Sequence, residues 1–216
     1  MAIIKPDPVS LTTHHLHLAY EDGVLGSGTG FTYVWDGELF LITNWHNVTG
    51  RHPETKKCLH KGGGLPDKIS TLFREREKPA HCSRVTIPLY SDEDRLDPVW
   101  FEHPEFREKV DVVAIPLPKP ILEGKRAFPI NEMSFDAKYK TEVADEAFII
   151  GYPFSEVTHL QLPIWKKASI ASEPDVNLDQ LPKMLVDTAT RAGLSGSPVI
   201  MQRVGIHRAV QLGKSL

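Results

Sequence analysis

Cysteine is nearly absent from this chain: only Cys58 and Cys82 occur in 216 residues. A disulfide-stapled scaffold is thereby excluded, and a reducing cytosol disfavours even the one possible bridge. Long apolar runs are missing as well. The longest, such as Val112 to Leu117, fall far short of the roughly 18 to 20 residues a membrane-crossing helix needs, so no membrane partner is expected. The N-terminus reads MAIIKPDPVS and has no apolar stretch of signal-peptide length. A cytoplasmic protein is the expectation, in which the sequon Asn47-Val48-Thr49 stays silent. Nor does one sign of charge dominate. Lys and Arg number 25 against 28 Asp and Glu, a net charge of -3, which leaves no footprint for nucleic acid or an anionic surface.

What is present is ordinary for a globular protein, with 41% apolar and 25% charged residues. At this length the prior is one domain or two small ones with a sizeable core. Fifteen Gly and 17 Pro are spread along the chain and punctuate short β-like runs, so the class is all-β. Strands are expected at 15–20, 30–35, 38–43, 69–74, 84–90, 110–117, 146–151, 164–172 and 184–188. Asp36-Gly37 between the second and third predicts a two-residue type I′ hairpin turn. Helix should be scarce, because no window of a dozen residues keeps helical apolar spacing free of Pro and Gly. Segments 51–68, 91–109 and 118–142 are rich in charge, Pro or Gly and read as surface insertions. The last lies near mid-chain, so two β modules are expected, 1–122 and 123–216. No internal repeat is visible.

The segment Arg191-Ala192-Gly193-Leu194-Ser195-Gly196-Ser197-Pro198 carries the most chemistry. A Ser framed by glycines suggests a tight turn whose backbone N–H groups point at one spot. Acyl transfer needs such a turn, a hydroxyl nucleophile beside main-chain donors for a developing oxyanion, here the amides of Gly193 and Ser195. The plain alternative is a β-turn that happens to hold a Ser. A Ser nucleophile requires a base, and among ten histidines His46 stands out, directly after the strand that follows the hairpin. An orienting acid should be buried beside it. Asp111 opens the apolar run Asp111 to Leu117 and is half-committed to the core, although strands often start with Asp after a turn.

These residues resemble the trypsin-like (chymotrypsin-fold) serine proteases, in particular the disulfide-free bacterial type related to the Deg proteases. The order His46, Asp111, Ser195 matches the family's, and the resemblance covers roughly residues 14 to 206. Gly26-Ser27-Gly28-Thr29-Gly30-Phe31 looks like its glycine-rich entry to the hairpin, Leu41 to Val48 like its histidine segment, and Gly151-Tyr152-Pro153 like its Gly-x-Pro. Gly193 to Pro198 matches Gly-x-Ser-Gly-x-Pro around the nucleophile. The resemblance implies two six-stranded antiparallel barrels with the catalytic groups in the cleft between them. It also implies a serine endopeptidase that acts on polypeptides without a cofactor. The primary pocket would include Ala189 and Thr190, with no acid to pair with Arg or Lys, so small or medium apolar side chains are expected at the cleavage site. Leu194 replaces the Asp that family members activated by trimming carry before the nucleophile, so that activation is not expected.

Two rival functions share the motif: a pseudo-protease or peptide-binding module without turnover, and a small-molecule esterase. A zinc site from Cys58, His60, His81 and Cys82 is disfavoured because adjacent His81 and Cys82 cannot easily face one metal, and no metal is expected. His14, His15 and His17 straddle both faces of a strand, so at most His15 and His17 could share one metal. Only 21 residues follow Ser195. Val204 to Ile206 could open a further strand, but one strand and a terminal helix of the family are expected to be missing. The second barrel would then keep an exposed edge inclined to self-association, as in a truncated form of a longer protease.

Overall fold

The computed structural model describes residues 5–135, 140–153, 160–189, 191–203 and 206–210. Strands β1 (Thr13–Tyr20), β2 (Gly23–Trp35), β3 (Glu38–Thr43), β4 (Lys68–Glu75), β5 (Cys82–Pro88), β6 (Phe101–Glu102), β7 (Val113–Pro116) and β8 (Lys125–Arg126) build one antiparallel sheet. Its order is β5-β4-β1-β2-β3-β7-β6, with β8 paired to β4. Strands β9 (Glu146–Gly151), β10 (Ile164–Ile170), β11 (Val186–Asp187), β12 (Val199–Arg203) and β13 (Ile206–Val210) build a second, ordered β11-β10-β9-β12-β13. The one α-helix among the described residues is α1 (Trp45–Thr49). No described helix is long and apolar enough to cross a membrane.

The all-β class and the two antiparallel sheets agree with the sequence reading, whereas the strand count does not follow six and six. Among the described residues the first sheet has eight strands and the second five. The first sheet's two extra strands, β6 and β8, are two-residue pairings contributed by the segments 91–109 and 118–142. The strand expected over 110–117 is also shorter. It begins at Val113, because Asp111 spends its carboxylate on His46 and its carbonyl on the Asn44 amide instead of joining the ladder.

The β2–β3 hairpin turns through Asp36 and Gly37, both with positive φ (49° and 76°), the geometry a type I′ turn requires. Strand β3 shows why its sequence, Glu-Leu-Phe-Leu-Ile-Thr, is apolar without interruption. Leu39 and Leu41 face the interior of the first sheet, and Phe40 and Ile42 face the second sheet, so both sides are covered. Val85 and Ile87 from β5 share one core with Val113 and Ile115 from β7, near the opposite end of the strand order. The first sheet must therefore curl round on itself. Full burial of side chains such as Phe73, Leu16 and Leu41 contributes about 1.5 to 3 kcal/mol each.

A second core joins the two sheets. Phe31 and Ile42 from the first pack with Ile150 and Ile200 from the second, and the buried Val9 and Ile130 close the group. Strand β9 alternates like β3, with Phe148 and Ile150 turned to this shared core and Ala147 and Ile149 to a third cluster on the other face. The seam between the sheets is thus a packed interface that fixes one sheet against the other.

Candidate functional site

His46 sits in the single turn of α1, which starts after β3 and stops at Gly50. That glycine adopts the left-handed conformation (φ 64°) and returns its N–H to the His46 carbonyl at 2.9 Å. A short helix, not a simple turn, therefore presents the ring. Asp111 grips the same residue twice. Oδ1 accepts from the His46 backbone N–H at 2.9 Å, and Oδ2 accepts from the His46 ring Nδ1 at 2.7 Å. A carboxylate oxygen only accepts, so Nδ1 carries the proton and Nε2 keeps a basic lone pair. The Asn44 side chain donates to the Asp111 carbonyl and holds the acid's backbone in place.

Ser195 arrives from the second sheet's side of the molecule. Its carbonyl accepts from Thr29 N–H at 2.7 Å and from the side-chain amide of Asn47, the residue after His46, at 3.1 Å. Asn47 gives a second N–H to Thr43 Oγ1 at 2.9 Å, and Thr43 Oγ1 donates to the Thr29 carbonyl at 2.8 Å. Thr29 completes the lattice. Its Oγ1 donates to the Gly193 carbonyl at 2.8 Å and accepts from Tyr152 N–H at 3.1 Å. Among the described residues Ser195 Oγ makes no hydrogen bond, and the N–H groups of Gly193 and Ser195 have no acceptor. Gly193 and Gly196 have positive φ (93° and 87°), which lets this turn expose its amides.

Three glycines allow the close approach. A side chain at Gly28 would meet Asn47 Nδ2 at 2.6 Å, one at Gly151 would strike Ser197 Oγ, and one at Gly196 would strike the Thr29 carbonyl. Each belongs to one of the glycine-bearing motifs read from the sequence. Thr29, Thr43, Asn44, Asn47 and Tyr152, which carry the scaffold, did not stand out there. Thr29 and Thr43 had one available signal, since a polar side chain in a strand covered on both faces must find a partner inside.

Of the expected pocket residues, Ala189 is exposed and Thr190 lies outside the described residues. Cys58 and Cys82 are free thiols. Among the described residues no three His, Cys, Asp or Glu side chains are gathered to hold a metal.

No family model matches the sequence, and no curated protein matches it. Among solved structures the chain is similar to the serine endoprotease from Yersinia pestis, at 10% identity and a TM-score of 0.47, over 92% of this chain and 54% of that one. It is also similar to an inactive serine-to-alanine mutant of Rv3671c from M. tuberculosis, at 14% identity and a TM-score of 0.45, over 92% and 78% of the two chains. A third similar structure is the thermostable serine protease AL20 from an extremophilic microorganism, at 11% identity and a TM-score of 0.49, over 91% and 81%. The chain spans about half the length of the Yersinia pestis protein.

Proposed function

We propose that this chain is a serine endopeptidase that hydrolyses polypeptides through Ser195, His46 and Asp111. The observation that carries the proposal is the double grip of Asp111 on His46, at 2.9 Å on the backbone and 2.7 Å on the ring. That grip fixes both the position and the tautomer of a base whose neighbour Asn47 is bonded to Ser195. In the reaction Ser195 Oγ forms a bond to the scissile carbonyl carbon and passes its proton to His46 Nε2. His46 then gives the proton to the leaving amine nitrogen as the C–N bond breaks, and water repeats the sequence to release the acyl group. In this reading the amides of Gly193 and Ser195, which have no acceptor among the described residues, donate to the oxyanion, a contribution of about 10² to 10³ in kcat for each donor.

Labelling with a fluorophosphonate probe tests this reading. The wild type should acquire label at Ser195, Ser195→Ala should acquire none, and Asp111→Asn should react about 10⁴-fold more slowly because the imidazole loses its tautomer. A folded wild type that takes no label but retains peptides would instead be a binding module with this architecture.

A further inference from the structure

A cavity of about 40 Å³ lies beside β1, β4 and the chain at Tyr152, and none of His46, Asp111 and Ser195 lines it. Its walls include His14, His15 and His17 from β1, Arg74 from β4 and Arg126 from β8, and no Asp or Glu among the described residues. Positive and neutral nitrogen groups crowd a space with no counter-charge among its described lining residues. Arg74 donates to the carbonyls of Pro79 and Leu160, both at 3.1 Å, and Arg126 lies over the Phe128 ring at 4.8 Å. Neither forms a salt bridge with a described carboxylate.

The histidines add a second, independent requirement. The His14 ring packs 4.3 Å from Phe73, and its Nδ1–H donates to the Leu72 carbonyl at 3.2 Å. Its Nε2 is buried without a partner, as are both ring nitrogens of His15, which stacks on Tyr152 at 5.2 Å and lies 4.5 Å from His17. An unpartnered buried polar atom is costly, and His14 and His15, which carry three of them on opposite faces of β1, both line the cavity. Burial pulls both rings down to about 4, with positive Arg74 adding to the effect on His14 and His17 to that on His15, so both are neutral at pH 7. Arg84, which acts on His17, adds further positive charge nearby. Burial raises Tyr152, whose hydroxyl is engaged by the Thr13 and Gln161 carbonyls and stays protonated, and Cys82 contributes a thiol to the wall.

An occupant must therefore accept from two guanidinium groups while donating to His14 Nε2, whose lone pair repels a fully deprotonated anion. A small oxyanion that brings its own hydroxyl meets both demands. The volume, room for about three waters, suits an inorganic ion and leaves no space for a bulky ester. We propose that this cavity binds a small protonated oxyanion, of which monobasic phosphate is the simplest, between Arg74, Arg126 and the rings of His14 and His15.

The test uses the full chain at pH 6, comparing phosphate, sulfate and chloride at equal ionic strength by thermal unfolding and by NMR of the histidine rings. Phosphate should raise the midpoint in a saturable way and shift the His14 and His15 signals, while sulfate, which has no proton to give, should do much less. Arg126→Gln should weaken the phosphate effect about tenfold, as expected for losing a charge-assisted contact. Midpoints and ring signals that are the same in phosphate and chloride, an equal response to sulfate, or an undiminished response in Arg126→Gln would each overturn the proposal. The ring signals of the wild type decide the matter if the variant does not fold. Peptide hydrolysis enters none of these readouts, so this site stands or falls independently of the proposed activity.

Discussion

At the scale of single residues, one uncharged hydroxyl ties the first sheet to the second at the site. Thr29 is fully buried, and its Oγ1 joins Gly193, on the turn that carries Ser195, to Tyr152 at the end of β9. Thr29→Val keeps the shape but leaves the Gly193 carbonyl and the Tyr152 N–H without a partner, an expected loss of about 2 to 4 kcal/mol. Urea unfolding should record that loss, Thr29→Ser should recover most of it, and labelling at Ser195 should fall in the valine variant alone. Thr29 also marks where sequence reasoning stops. His46, Asp111 and Ser195 could be singled out because each sits in a local pattern of turn, strand and glycine. The Thr29 to Gly193 bond joins positions 164 apart, and a contact of that separation leaves no trace in local spacing.

Among the elements, the turn from Gly193 to Ser197 depends on how closely it can lie against β2. Gly196→Ala would place a methyl group against the Thr29 carbonyl at a φ of 87°, whereas Gly37→Ala meets a similar φ, 76°, with nothing within 4 Å. The comparison separates contact from conformation. Gly37→Ala should cost about 1 kcal/mol for the backbone alone, and Gly196→Ala clearly more, with loss of labelling at Ser195 and an unchanged circular dichroism spectrum. Elements with a full alternation were readable in advance: strands at 38–43 and 146–151 have the expected bounds. The two-residue strands β6 and β8 were not, because two positions cannot display a period of two. Helix α1 escaped for the same reason. Its five residues are too few for helical periodicity, although Gly50 is a legible stop signal.

For the molecule as a whole, the buried histidines couple stability to acidity. His14 is held at about 4 against an ordinary 6.5, so between those values the unfolded chain binds more protons than the folded one. Stability is then fully present above pH 6.5 and falls as the pH drops toward 4, by about 3 kcal/mol from His14. Urea midpoints measured at pH 7.5 and pH 4.5 should therefore diverge less in His14→Gln than in the wild type. The arrangement of the two sheets also has a meaning in time. The His46 to Asp111 pair is complete once residue 111 has been made, 65 positions after the histidine, and Ser195 follows 84 positions later. At about 5 to 20 residues per second, a growing chain would hold the oriented His46 ring without Ser195 for roughly 4 to 17 s. On the proposed mechanism, dividing base and nucleophile between two sheets keeps the growing chain chemically silent until the last-made sheet closes against the first.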